Sequence, residues 1–173
     1  ITEIAIVTGY KCELLSDYNL QEFVNERWEE TNMVYSMLAA GEWLQKSHCI
    51  VCYSDIFYTA DSIHRLILSN YDISITYDPN WLDLWSKRFS NPLEDAESFR
   101  QLDGRLLEIG KTPQKLEDIE GQYMGLLKFT PSGWSRIEKF LKGSIIQANP
   151  KSMFKILTLL DVSLKFMEQL KMY

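Results

Sequence analysis

The stretch CIVCYSDIFYTADSIHRLILSNYDISITYDPN, residues 49–80, decides the fold class. It opens on Cys49 to Tyr53, an apolar run stopped by Ser54 and Asp55. It closes on Ile73 to Tyr77, stopped by Asp78, Pro79 and Asn80. Short apolar runs bounded by turn formers read as buried strands. Between them, Asp61 to Ser69 places Ile63, Leu66 and Ile67 on one side of a helix. Strand, helix, strand at this spacing is the unit of an α/β sheet with parallel strands. Ligands in such sheets bind beyond the carboxyl ends of strands, and Asp55 stands at such an end.

The same pattern extends in both directions. Ile4 to Val7, closed by Thr8 and Gly9, reads as another buried strand. Asn32 to Lys46 follows a helical period with Met33, Met37, Leu38 and Leu44 on one face and Thr31 or Asn32 as N-cap. Beyond Asn80, Trp81 to Arg100 reads as a short helix plus loop, while Arg105 to Ile109 and Gln122 to Phe129 read as strands. Pro131 starts a helix running to Leu141, and a final helix is expected over much of Met153 to Met172. No linker, repeat or low-complexity segment divides residues 1–173, so one domain is expected. A strand so close to Ile1 predicts that the domain's beginning lies upstream.

Composition narrows the function. Eighteen basic against twenty-four acidic residues give a net charge of -6, which argues against a nucleic-acid binder, because such proteins cluster Lys and Arg. No apolar run reaches the roughly 20 residues of a membrane span, so no membrane partner is expected. Three cysteines, an odd number, suit a reducing compartment and hence the cytoplasm. Cys49 and Cys52 have redox or zinc spacing, but residues three apart on a strand face opposite sides. A redox reading would need both thiols on one exposed turn. His48 and His64 lack the surroundings of a nucleophilic triad, and the acidic runs Glu29-Glu30 and Glu94 to Glu97 read as solvated faces. Asp55 is the exception. A carboxylate after an apolar strand is where α/β enzymes hold a divalent cation on a phosphate substrate; the alternative is a turn or helix cap.

A resemblance sharpens this picture. Gly9-Tyr10-Lys11, the spaced set Asn25, Trp28, Thr31, Asn32, Tyr35 and Ser36, and then Tyr53-Ser54-Asp55-Ile56 resemble nucleotidyltransferases of the sugar-nucleotide and phosphocholine cytidylyltransferase type. Tyr77 to Trp81 and Gly121 to Leu126 resemble the nucleotidyltransferase module fused to phosphoenolpyruvate mutases. Asp161-Val162-Ser163 is similar to the segment that supplies a late site aspartate. The resemblance implies a Rossmann-like sheet, mostly parallel, with flanking helices. It implies transfer of a nucleotidyl group, CTP favoured, to a phosphorylated or phosphonylated small molecule, with release of pyrophosphate. Asp55 and Asp161 would hold Mg2+. Asn25, Asn32, Tyr35 and Ser36 would lie near the substrate, and Glu120, Gln122 and Tyr123 would line the acceptor side.

These families wrap the triphosphate with a Gly-rich loop after their first strand, and that spacing is absent from residues 1–173. First strand and loop are therefore expected upstream, in a segment of roughly 50–60 residues; the alternative is a non-catalytic binding or assembly module. Trp81, Trp85, Tyr53 and Tyr123 are aromatics enough for a cage around an amine, at about 0.5–2 kcal/mol per cation–π contact, or for ordinary packing. An amine-bearing acceptor is favoured slightly over a sugar 1-phosphate. A homodimer is compatible with the resemblance.

Overall fold

The computed structural model describes residues 1–143 and 162–166. Eight strands and five helices alternate along them: β1 (Ala5–Thr8), β2 (Gln21–Val24), α1 (Met33–Ala39), α2 (Gly41–Lys46), β3 (Cys49–Cys52), α3 (Ala60–Ile67), β4 (Ile73–Asp78), α4 (Trp81–Arg88), β5 (Phe99–Leu102), β6 (Arg105–Ile109), β7 (Gln122–Phe129), α5 (Pro131–Gly143) and β8 (Ser163–Phe166). The α/β expectation holds. Six strands form a sheet in the order β3-β7-β4-β8-β6-β5, while β1 and β2 pair in parallel as a separate ribbon.

The sheet is mixed. β3 and β4 both run antiparallel to β7, which lies between them, and β8 runs parallel to β4. The β5–β6 hairpin turns at Asp103 and Gly104, both at positive φ, as a tight turn matched to strand twist requires. Apolar runs reveal that strands are buried but not which way each one points.

Two layers cover the sheet. Ile73, Ile75, Leu127 and Phe129 are 0–1% exposed and pack with Trp134 and Ile137 of α5, Val34 and Met37 of α1, and Leu44 of α2. The opposite face carries Leu126, packed with Leu66 of α3. Alternation along β4 and β7 sends successive residues to these two layers. The start of α5 is fastened to the residue before β4. Thr130 and Ser132 donate their hydroxyls to the Asp72 carboxylate at 2.6 and 3.2 Å.

Three sequence expectations change. The helix expected from Asn32 to Lys46 is two helices, broken at Ala40, whose ψ of 12° leaves the helical region. β1 is only half-buried, with Val7 36% exposed, because it belongs to the small ribbon rather than the main sheet. Within the final helix expected over Met153 to Met172, Ser163–Phe166 is strand β8 instead. Val162 before it is 1% exposed. The rest of that segment, Asp161 included, lies outside the described residues. Among the described residues no helix is long and apolar enough to cross a membrane.

Candidate active site

Because β3 and β4 run the same way, their carboxyl ends meet at one edge, beside the amino end of β7. Tyr53, Ser54 and Asp55 follow β3, Asp78 ends β4, and Gln122 and Tyr123 open β7. Tyr53 is the centre of this edge. Its N–H donates to the Gly125 carbonyl at 3.0 Å, its hydroxyl donates to the Met33 sulfur, and its ring meets Tyr123 edge-on with centroids 5.9 Å apart. Gly125 makes this packing feasible. It has φ +74°, and a Cβ there would stand 2.7 Å from the Tyr53 ring. Burial pushes both phenols up, Tyr123 well above its ordinary range; Glu97 and Asp55 add to the rise at Tyr53.

Asp55 is exposed at this edge. One exposed oxygen donor past an apolar strand suits magnesium, which takes one or two protein carboxylates and leaves its other positions to water and phosphate. Asp161, its expected partner, lies outside the described residues. Among the described residues no three His, Cys, Asp or Glu side chains converge as a metal cluster. Asp78, 5% exposed, accepts the Asn80 N–H at 2.8 Å, and burial raises its carboxyl above the usual range.

The residues expected on the acceptor side differ in their partners. Gln122, 6% exposed, donates Nε2 to the Glu97 carbonyl at 2.7 Å and accepts the Glu97 N–H at 3.4 Å. Glu120 accepts the Gln101 N–H at 2.7 Å, and its own N–H donates to the Phe99 carbonyl at 2.8 Å, so it ties the β7 approach to β5. Trp81 is 3% exposed and donates its indole N–H to the Ile119 carbonyl. It packs edge-on against Trp85, over which Arg88 lies at 5.8 Å. Trp81 is a core residue, and Tyr53 with Tyr123 forms the ring pair at the sheet edge.

In the Asn25 to Ser36 stretch, Asn25 is 5% exposed and fully spent. It donates to Thr31 and Ser36 at 2.9 and 3.1 Å and accepts the Arg27 N–H. Asn32 caps α1 by accepting from Val34 and Tyr35, while its Nδ2 is buried without a partner among the described residues. Tyr35 is 41% exposed under the Arg27 guanidinium. All three cysteines are free. Sequence reasoning gave Met33 and Gly125 no part in holding Tyr53, although Gly125 falls within the Gly121 to Leu126 patch. Only the glycine left a signal, as a residue that weakens a strand unless a close approach needs it.

The fold is similar to that of solved nucleotidyltransferases. The chain superposes with a TM-score of 0.66 on a Bacillus anthracis protein described as a glucose-1-phosphate thymidylyltransferase, at 11% identity over 98% of this chain and 70% of that one. The inositol-1-phosphate CTP transferase of T. maritima gives 0.63, at 16% identity over 94% of this chain and 65% of that one. In sequence, a particular relative stands out. The CTP:phosphoglutamine cytidylyltransferase of Campylobacter jejuni is 37% identical over 150 residues, covering 81% of this chain. The chain spans 59% of that relative's length. No family model matches.

Proposed function

We propose that this chain is the core of a CTP-dependent nucleotidyltransferase acting on a phosphorylated or phosphonylated small molecule. The observation that carries this reading is the 37% identity to a cytidylyltransferase. An acceptor oxygen attacks the α-phosphorus of CTP, a P–O–P link forms, the α–β bond breaks and pyrophosphate leaves. Such transfer depends on positioning and charge neutralisation, not on a protein nucleophile. Asp55, with Asp161, would hold magnesium, which supplies positive charge against the phosphates. Tyr53, locked between Gly125, Met33 and Tyr123, walls the acceptor side. Asn32 and Tyr35 supply the unspent amide donor and exposed ring of their stretch, whereas Asn25 and its partner Ser36 keep that stretch folded.

The test is pyrophosphate release by the full-length gene product with magnesium. CTP, UTP, ATP and GTP are each paired with phosphocholine, 2-aminoethylphosphonate and a sugar 1-phosphate. Release that needs both CTP and an acceptor supports the reading. A folded protein that binds CTP yet releases none with any acceptor would favour a non-catalytic module.

A further inference from the structure

We propose that Met33 is a site of oxidative modification: conversion of its thioether to the sulfoxide by a peroxide releases the Tyr53 hydroxyl at the edge of the candidate site. That hydroxyl donates to the Met33 sulfur, which joins the start of α1 to the residue that follows β3. Among the methionines of the described residues, Met33 is 41% exposed, Met37 is 6% exposed and Met124 is half-buried. An oxidant in solution therefore meets Met33 first.

Neither partner can follow the other by moving its backbone. On the α1 side, the Asn32 side chain accepts the Val34 and Tyr35 N–H groups at 3.0 and 3.3 Å, and Val34 is 3% exposed. On the β3 side, the Tyr53 N–H donates to the Gly125 carbonyl at 3.0 Å, and the Tyr53 ring lies edge-on to Tyr123 in the space that Gly125 leaves. The Met33 side chain, unbranched and flexible, is the part that can shift. One lone pair of its sulfur accepts the Tyr53 hydrogen, so a peroxide attacks through the other. Sulfur gives up an electron pair, the O–O bond breaks, one peroxide oxygen joins the sulfur and the other leaves as water. The new oxygen is a stronger acceptor than the thioether and turns to solvent, while the sulfur left behind is electron-poor and holds the phenol less well. Tyr53 stands directly before Ser54 and Asp55, so the loss is felt where the candidate site presents its carboxylate, whatever group that site transfers.

The experiment uses the full-length protein with its thiols blocked beforehand, because the exposed Cys52 lies next to Tyr53 in the chain. Limiting hydrogen peroxide is added, the methionine peptides are followed by mass spectrometry, and near-ultraviolet circular dichroism reports the tyrosine packing. Met33 should gain its oxygen before Met37 and Met124, and the tyrosine signal should fall in step with that gain. Met33→Leu, its fold checked by thermal melting, should keep its tyrosine signal under the same dose. If that variant does not fold, M33Q, which a peroxide leaves intact at this position, is measured instead and should be equally insensitive. Oxidation of Met33 no sooner than Met37, an unchanged signal once Met33 is oxidised, or an equal fall in the variant overturns the proposal.

Discussion

Replacing Gly125 by alanine should unsettle the fold and the pocket together, through one methyl group. Gly125 sits at φ +74°, where an L residue is strained by about 1–2 kcal/mol. The added Cβ would also stand 2.7 and 3.0 Å from two atoms of the Tyr53 ring. An aromatic ring cannot flex out of the way, and overpacking of this sort costs about 1–3 kcal/mol. The sum is about 2–5 kcal/mol, a large share of the roughly 5–15 kcal/mol that holds a domain together. At about 2–4 °C per kcal/mol for this size, melting should fall by roughly 4–20 °C. Scanning calorimetry measures the shift, and near-ultraviolet circular dichroism follows the tyrosine packing. A variant melting within a degree or two of wild type, with an unchanged tyrosine signal, would refute the argument that Gly125 is required by the ring above it.

Trp81→Leu should cost about 2–4 kcal/mol as a buried large-to-small change, seen in urea unfolding, and should leave the preference for amine acceptors unaltered; a selective loss of amine binding would restore Trp81 to the pocket. Asp55→Ala should lower turnover of the full-length enzyme about 10²–10³-fold through loss of a metal ligand, and near wild-type turnover would remove Asp55 from the site. Asp78 gives a pH prediction. Its carboxyl is raised by burial, so the folded state holds that proton more tightly than the unfolded chain, and stability is lost as pH rises through the raised value. Asp78→Asn, which keeps the acceptor for the Asn80 N–H, should melt above wild type at neutral pH, the advantage shrinking as the medium is made acid; an advantage that grows toward acid would contradict it.

Much of the fold was legible because local pattern and tertiary burial agree. β3, β4, β6 and β7 fall where apolar runs meet turn formers, and Asn32 caps α1 as its side chain suggests. β2 and β5 escaped notice because Gln21–Val24 and Phe99–Leu102 are short, β2 exposed at all but Phe23 and β5 at Arg100 and Leu102. The acidic run containing Glu97 looked solvated throughout, because its composition does not reveal that Gln122 holds the Glu97 backbone and that Ser98 is bonded to Gly110 and Lys111. Trp81 misled for the complementary reason. Aromatic residues near a site motif serve packing and recognition equally well, and only burial separates the two.

The insertion of β8 between β4 and β6 has a bearing on how the molecule comes into being. Ser163–Phe166 lies beside Ser74–Tyr77, and the β5–β6 hairpin reaches the rest of the sheet through Arg105 and Ser163 and the Leu106 N–H to Val162 carbonyl bond. During synthesis, the hairpin can be tied early through Glu120, but the place between it and β4 is filled only by residues made well after it. Until then β4 offers an unpaired edge on one side, a template for pairing with other chains. Closing so long a loop before its contacts are repaid slows folding. Among the described residues, the sheet strand that leaves the ribosome last is the keystone of the middle, so yield at high expression temperature should depend on this stretch more than on any surface residue.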